Sequence, residues 1–170
     1  MLEKIELRKK LKNISLVNAD YSTAVINRLQ NIIKDKIVCT YIPLENEINI
    51  NMYLKGQSAL STTCIKDGEI KICIYEEPFE KNSFNVYQPI NLKIIDNVDI
   101  FLVPGIGFDI KGTRLGKGSG IYDQLLSVHL NSTFIGITDK NHIVDEIPFE
   151  NHDIQMHSLL THDEFIDINL

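Results

Sequence analysis

Val98-Asp-Ile-Phe-Leu-Val-Pro-Gly-Ile-Gly-Phe-Asp-Ile-Lys-Gly-Thr-Arg-Leu-Gly-Lys-Gly-Ser-Gly-Ile-Tyr-Asp123 carries the pattern that decides the fold of this 170-residue chain. Val98 to Val103 is apolar apart from Asp99, as expected of a strand buried on both faces. Pro104-Gly105 stops that strand, because proline has no amide to give to a ladder. Six of the chain's nine glycines then fall between Gly105 and Gly120. A helix is expected from about Gly120 to Leu130. Strand, glycine-rich connection and helix in succession make one repeat of a parallel α/β unit. Such sheets bind ligands in the crevice beyond their strand carboxyl ends, which is where the Val103 to Gly120 connection stands.

On the N-terminal side, Leu2, Ile5 and Leu11 give residues 2–12 a helical stripe. A second helix starts at Asp20 or Ser22, both good N-caps, and runs through Ala24, Val25, Arg28, Leu29, Ile32 and Ile33. Residues 36–42 form a buried strand that Pro43 ends, and residues 47–55 a short helix closed by Gly56. Strands over 59–65 and 69–75 flank a Lys-Asp-Gly turn. Glu76 to Leu92, with two prolines, reads as an irregular loop. Strands over 133–138 and 153–160 complete the chain. This alternation predicts an α/β, three-layer Rossmann-like domain, a mostly parallel sheet flanked by helices, with residues 1–170 as a single domain.

Composition narrows the function. Hydrophobic residues make up 44% and charged residues 24%, the balance of a soluble globular protein with room for a ligand cleft. No apolar run approaches the ~20 residues that cross a bilayer, and the first residues lack the pattern of a secretory signal. Cys39, Cys64 and Cys73 are odd in number and form no Cys-x-x-Cys pair. Cys39 and Cys64, inside apolar β-branched runs, read as buried small hydrophobes, and a reducing compartment follows, hence the cytoplasm. A net charge of -6 argues against a nucleic-acid binder, which needs a basic face. Residues 1–12 nevertheless hold five basic groups against two acidic ones, so an anionic ligand would be drawn by local positive spots. His152, His157 and His162 recur every five residues, a spacing that alternates strand faces, so they are expected at the surface and not around one zinc ion.

The glycine segment carries the chemistry. Glycine lets backbone amides approach an anion closely, and Arg114 and Lys117 add two cations among them. The helix starting near Gly120 adds its partial positive charge, so a phosphate is the expected guest. Two familiar phosphate loops do not fit. Gly112 and Gly116 enclose three residues where a P-loop needs four, and Gly105-Ile-Gly107 lacks the third glycine of a dinucleotide fingerprint. Glycine density alone is equally compatible with a solvated surface loop.

Gly112-x-Arg114-Leu115-Gly116-x-Gly118-x-Gly120-x-Tyr122-Asp123 resembles the signature of the 5-formyltetrahydrofolate cyclo-ligase family. Val98 to Asp109 is similar to the strand and proline turn before that signature. Lys4-x-x-x-Arg8, Tyr41 with Glu47-Ile48, and His152-Asp153 with Thr161 resemble its outlying segments in the same order. The pattern departs at Ile121, where the family has a tyrosine, at Gln88-Pro89 in place of Glu-Pro, and at His157 and His162 in place of acidic residues.

The resemblance implies an ATP- and Mg2+-dependent ligase that converts 5-formyltetrahydrofolate to 5,10-methenyltetrahydrofolate. The formyl oxygen takes the γ-phosphoryl group, N10 closes the ring, and ADP and phosphate leave. It implies ATP contacts at Lys4, Arg8, Arg114, Leu115, Gly116, Lys117, Gly118, Ser119, Gly120, Ile121 and Tyr122, with Lys117 and Arg114 assisting the chemistry. Folate contacts fall to Glu47 and Tyr122. Glu47 also lies at a strand's carboxyl end, where a carboxylate can accept the paired donors of a pterin; the plainer role for it is helix capping. Asp123 and Asp153 would hold Mg2+, which takes one or two carboxylates beside phosphate oxygens. Expected partners are ATP and 5-formyltetrahydrofolate, with or without a polyglutamate tail, and neither nucleic acid nor membrane; the enzyme is expected to be a monomer. The competing reading is a non-catalytic nucleotide- or folate-binding relative.

Overall fold

The computed structural model describes residues 2–17, 19–57, 59–82 and 85–169. Its helices are α1 (Leu2–Lys12), α2 (Thr23–Ile33) and α3 (Ile121–Ser127). Its strands are β1 (Val38–Thr40), β2 (Leu60–Lys66), β3 (Glu69–Ile74), β4 (Phe79–Lys81), β5 (Tyr87–Pro89), β6 (Ile94–Ile95), β7 (Ile100–Pro104), β8 (Gly107–Asp109), β9 (Arg114–Leu115), β10 (Thr133–Ile137), β11 (Ile143–Val144), β12 (Ser158–Leu160) and β13 (Phe165–Asp167). Eight strands form the main sheet in the order β13-β12-β10-β7-β1-β2-β3-β6. The five from β12 to β2 are parallel, β13 and β3 flank them antiparallel, and β6 pairs antiparallel with β3 at the edge.

Period-two alternation on the central strands makes three layers. Val38, Ile100, Leu102, Ile135, Ile137 and Leu160 meet Val25, Leu29 and Ile33 of α2 in one core. Cys39, Phe101, Val103, Phe134 and Leu159 meet Leu125 and Leu126 of α3 in the other. Burying both faces is what demands the unbroken apolar run of β7, all five residues of which are buried. Ser22 caps α2 by accepting the Val25 amide. A third cluster, Leu11 with Leu115 and Ile147, seats α1 on a small sheet of β11, β8 and β9. Among the described residues no helix is long and apolar enough to cross a membrane.

Several expectations give way. No helix forms over 47–55, where a single 3-10 turn covers Asn51–Tyr53. Asparagine side chains compete for the backbone there: Asn49 accepts the Asn51 amide at 3.1 Å, and Asn51 donates to the Tyr41 carbonyl at 2.7 Å. The expected irregular loop over 76–92 holds the β4–β5 hairpin, with residues 83 and 84 outside the described set. Gln88 ties that hairpin to the sheet, since its Oε1 accepts the Ile65 amide at 2.9 Å. The last parallel strand begins at Ser158, so Asp153 lies in the turn before it. The first half of the glycine connection is itself a hairpin, β8 to β9, whose turn is closed by Asp109 Oδ1 accepting the Lys111 and Thr113 amides. Only residues 116–120 remain as open chain between β9 and α3. The histidines also differ from a plain surface set. His152 is exposed, whereas His157 packs on Phe134 and His162 on Tyr21.

Candidate functional site

The strand order reverses between β1 and β7, because β2 lies beyond one and β10 beyond the other. A crevice outside the carboxyl ends of such a pair is the expected ligand position. Tyr41 and Ile42 leave β1 and Pro104-Gly105 close β7 along the lining of a cavity of about 420 Å³, a volume suited to small ligands. Its lining is of two chemical kinds. Lys4 and Arg8 of α1, Arg114, and Gly116 to Gly120 bring cations and bare backbone; Ile42, Leu44, Ile65, Ile70 and Val86 bring apolar surface.

Arg114 is fixed from several sides. Its Nη2 donates to Asp123 Oδ2 at 2.9 Å, Nη1 to the Pro104 carbonyl at 3.4 Å, and the guanidinium lies 5.2 Å from the Tyr122 ring centre. Its side chain is only 5% exposed, and among the described residues Nε has no hydrogen-bond partner. Gly116 crosses directly over this group, for a Cβ there would fall 2.7 Å from Arg114 Nη1. Gly118 and Gly120 take φ values of 101° and 68°, which L side chains avoid, so the segment turns twice in a way only glycine permits without strain.

The other charges are also paired. Lys4 Nζ donates to Asp153 Oδ2 at 2.6 Å and to Glu150 Oε2 at 2.9 Å. Burial alone would lower the Lys4 ammonium, but the bonds and charges of Asp153 and Glu150 outweigh it and hold its pKa above the ordinary lysine value. Arg8 Nε donates to the Gly116 carbonyl at 2.8 Å, tying α1 to the glycine segment. Lys117 Nζ donates to Glu47 Oε1 at 2.6 Å, and Glu47 Oε2 accepts the Leu44 amide at 3.0 Å. Glu47 therefore closes a turn and begins no helix. Burial pushes the Tyr122 phenol above the ordinary tyrosine value.

Lys4, Arg8, Glu47, Arg114, Gly116, Lys117, Gly118, Ser119, Gly120, Ile121, Tyr122, Asp123 and Asp153 thus all line the one cavity. Leu115 does not. It is fully buried against Leu11 and Ile147, because it alternates with Arg114 on β9 and faces the opposite way. Asp123 and Asp153, expected as a pair, are held by different cations. Asp153 instead groups with Glu150 and His152, whose ligand atoms and its own lie within 4.8 Å of one another. These are hard oxygen donors with one imidazole, a set whose chemistry suits Mg2+ better than a thiolate-seeking metal. Sequence reasoning missed Glu150, though its position two residues from His152-Asp153 was a visible signal. Ile65, Ile70 and Val86 had none, since sheet pairing alone brings them to the cavity.

The sequence profile of the 5-formyltetrahydrofolate cyclo-ligase family matches residues 3–162. The chain is 32% identical over 91 residues to a 5-formyltetrahydrofolate cyclo-ligase of Haemophilus influenzae, covering 50% of this chain and 49% of that protein. It is 41% identical over 69 residues to the enzyme of the same name from Mycolicibacterium smegmatis, covering 39% and 35%. These matches span about half or less of the curated relatives' length. The solved structure of Aquifex aeolicus 5,10-methenyltetrahydrofolate synthetase superposes with a TM-score of 0.81 at 27% identity, covering 100% of this chain and 94% of that one.

Proposed function

Since the chain belongs to the 5-formyltetrahydrofolate cyclo-ligase family, we propose that it converts 5-formyltetrahydrofolate to 5,10-methenyltetrahydrofolate with ATP as co-substrate. The supporting observation is that cations, carboxylates, glycine backbone and apolar wall meet in a single cavity at the strand-order reversal.

The formyl oxygen attacks the γ-phosphorus, and the bond to the ADP oxygen breaks with its electron pair leaving on ADP. N10 then attacks the activated formyl carbon, its proton is lost, and the C–O bond breaks to release phosphate. Phosphoryl transfer of this kind needs alignment and charge neutralisation more than covalent help. Lys117, about half exposed among glycines, would leave its Glu47 partner to follow the charge as it develops on the transferring oxygens. Lys4 and Arg8 offer α1 to the other phosphates. Buried Arg114 acts chiefly by holding Asp123 in place, while Arg8 ties down the Gly116 carbonyl. Asp123, which shares its carboxylate with Arg114, and Asp153 and Glu150, which share theirs with Lys4, are the groups that would hold Mg2+, whose chemistry here would be neutralisation of the ATP phosphates. Glu47 accepts the pterin donors, while Tyr122 and the apolar wall cover the ring.

The test is direct. Purified protein with Mg·ATP and 5-formyltetrahydrofolate should generate the near-ultraviolet absorbance of the methenyl product, and only with all three components present. A protein that binds both ligands without producing that absorbance would be a non-catalytic relative.

A further inference from the structure

The ion pairs of the cavity are not equivalent. Lys4 and Asp153 have side chains only 7% exposed each, at the cavity wall. Arg114 and Asp123 are nine positions apart, and both are largely buried. Lys117 and Glu47 are 70 positions apart, and their cation is 48% exposed. They join the glycine segment to the loop after β1, the two parts of the cavity assigned above to phosphate and to pterin. Glu47 is the fixed member. Its Oε2 accepts the Leu44 amide while its own amide donates to the Leu44 carbonyl, both at 3.0 Å. Lys117 is the member that can swing, on a flexible four-carbon stem between Gly116 and Gly118.

We infer that the Lys117–Glu47 ion pair couples the two ligands, so that nucleotide and folate each tighten binding of the other. The inference rests on the proposed function, in which phosphate takes Lys117 and the pterin takes Glu47. Either ligand must open the same ion pair, and it need be opened only once. The ligand that arrives first bears that cost, and the second finds its residue already released. Linkage makes the effect equal in both directions. One partly exposed ion pair sets its size at about two- to fivefold in each dissociation constant.

The test is calorimetric titration of the full chain with 5-formyltetrahydrofolate, alone and with saturating Mg2+ and a non-hydrolysable ATP analogue. The wild type should bind the folate about two- to fivefold more tightly with the analogue present, and the reverse titration should give the same ratio. In Lys117→Met, Glu47 is unmasked from the start, so folate without nucleotide should bind as tightly as it does to the nucleotide-loaded wild type. Lys117→Gln should behave alike, and thermal melts of both variants check the fold. Equal folate constants with and without the analogue in the wild type overturn the coupling and leave the proposed function intact. So does unchanged nucleotide-free folate affinity in both variants. Failure of the wild type to bind either ligand overturns both.

Discussion

Lys4 Nζ lies 2.6 Å from Asp153 Oδ2 with both side chains 7% exposed, so a buried ion pair fastens the start of α1 to the turn before β12. The helix that brings Lys4 and Arg8 to the cavity is thereby held by a residue that itself lines it. Nothing in a helical stripe of Leu2, Ile5 and Leu11 reveals such a clamp.

Lys4→Met should therefore cost stability as well as ATP affinity. Removing one half of a buried pair leaves an uncompensated carboxylate, an effect of about 3–5 kcal/mol. Denaturant unfolding should show it, and adding Asp153→Asn should recover part of the loss. A variant of undiminished stability would mean that the pair is open in solution.

Asp123→Asn should lower turnover at least about tenfold, the scale for disturbing a metal's carboxylate surroundings. The amide keeps an oxygen for Arg114, so the thermal midpoint should move far less than in Lys4→Met. Near-normal turnover across Mg2+ concentrations would reduce Asp123 to an anchor for Arg114.

Lys117→Met should slow the saturated rate about 100-fold, as when one preorganised donor to developing charge is lost. Steady-state kinetics at saturating ATP provide the check. A raised Michaelis constant with an unaltered saturated rate would show that Lys117 binds ground state and transition state alike.

Acid should destabilise the protein through His157. Its Nδ1 accepts the Phe134 amide at 2.9 Å, which requires that nitrogen unprotonated, and burial holds its pKa below the ordinary histidine value. The unfolded chain thus takes up the proton first as pH falls. The stability His157 contributes is complete above about 6.5 and is lost as pH drops from there to the lower folded value. His129, also lowered by burial, acts in the same direction. Thermal midpoints should fall between pH 7 and 5.5, and less so in His157→Gln. An equal fall in that variant would assign the effect elsewhere.

The parallel core was legible because strands buried on both faces must be apolar throughout, as Ile100 to Val103 and Phe134 to Ile137 are. The glycine segment was legible because positive φ at Gly118 and Gly120 and the close pass of Gly116 over Arg114 can be met only by glycine. What stayed hidden depends on pairing between distant segments. The β8–β9 hairpin turns Leu115 into the core, and the asparagines at 49 and 51 dissolve a helix that spacing alone suggests. The partners of Lys4, Arg114 and Lys117 could not be read at all, for a side chain's charge shows in sequence and its counter-ion does not.

In the proposed reaction this cavity moves the γ-phosphoryl group of ATP onto the formyl oxygen before closing the ring. Substrate carrying 18O in the formyl group should deliver one 18O atom to inorganic phosphate for each methenyl product formed, read by mass spectrometry of the phosphate. Methenyl product accompanied by unlabelled phosphate would contradict the account.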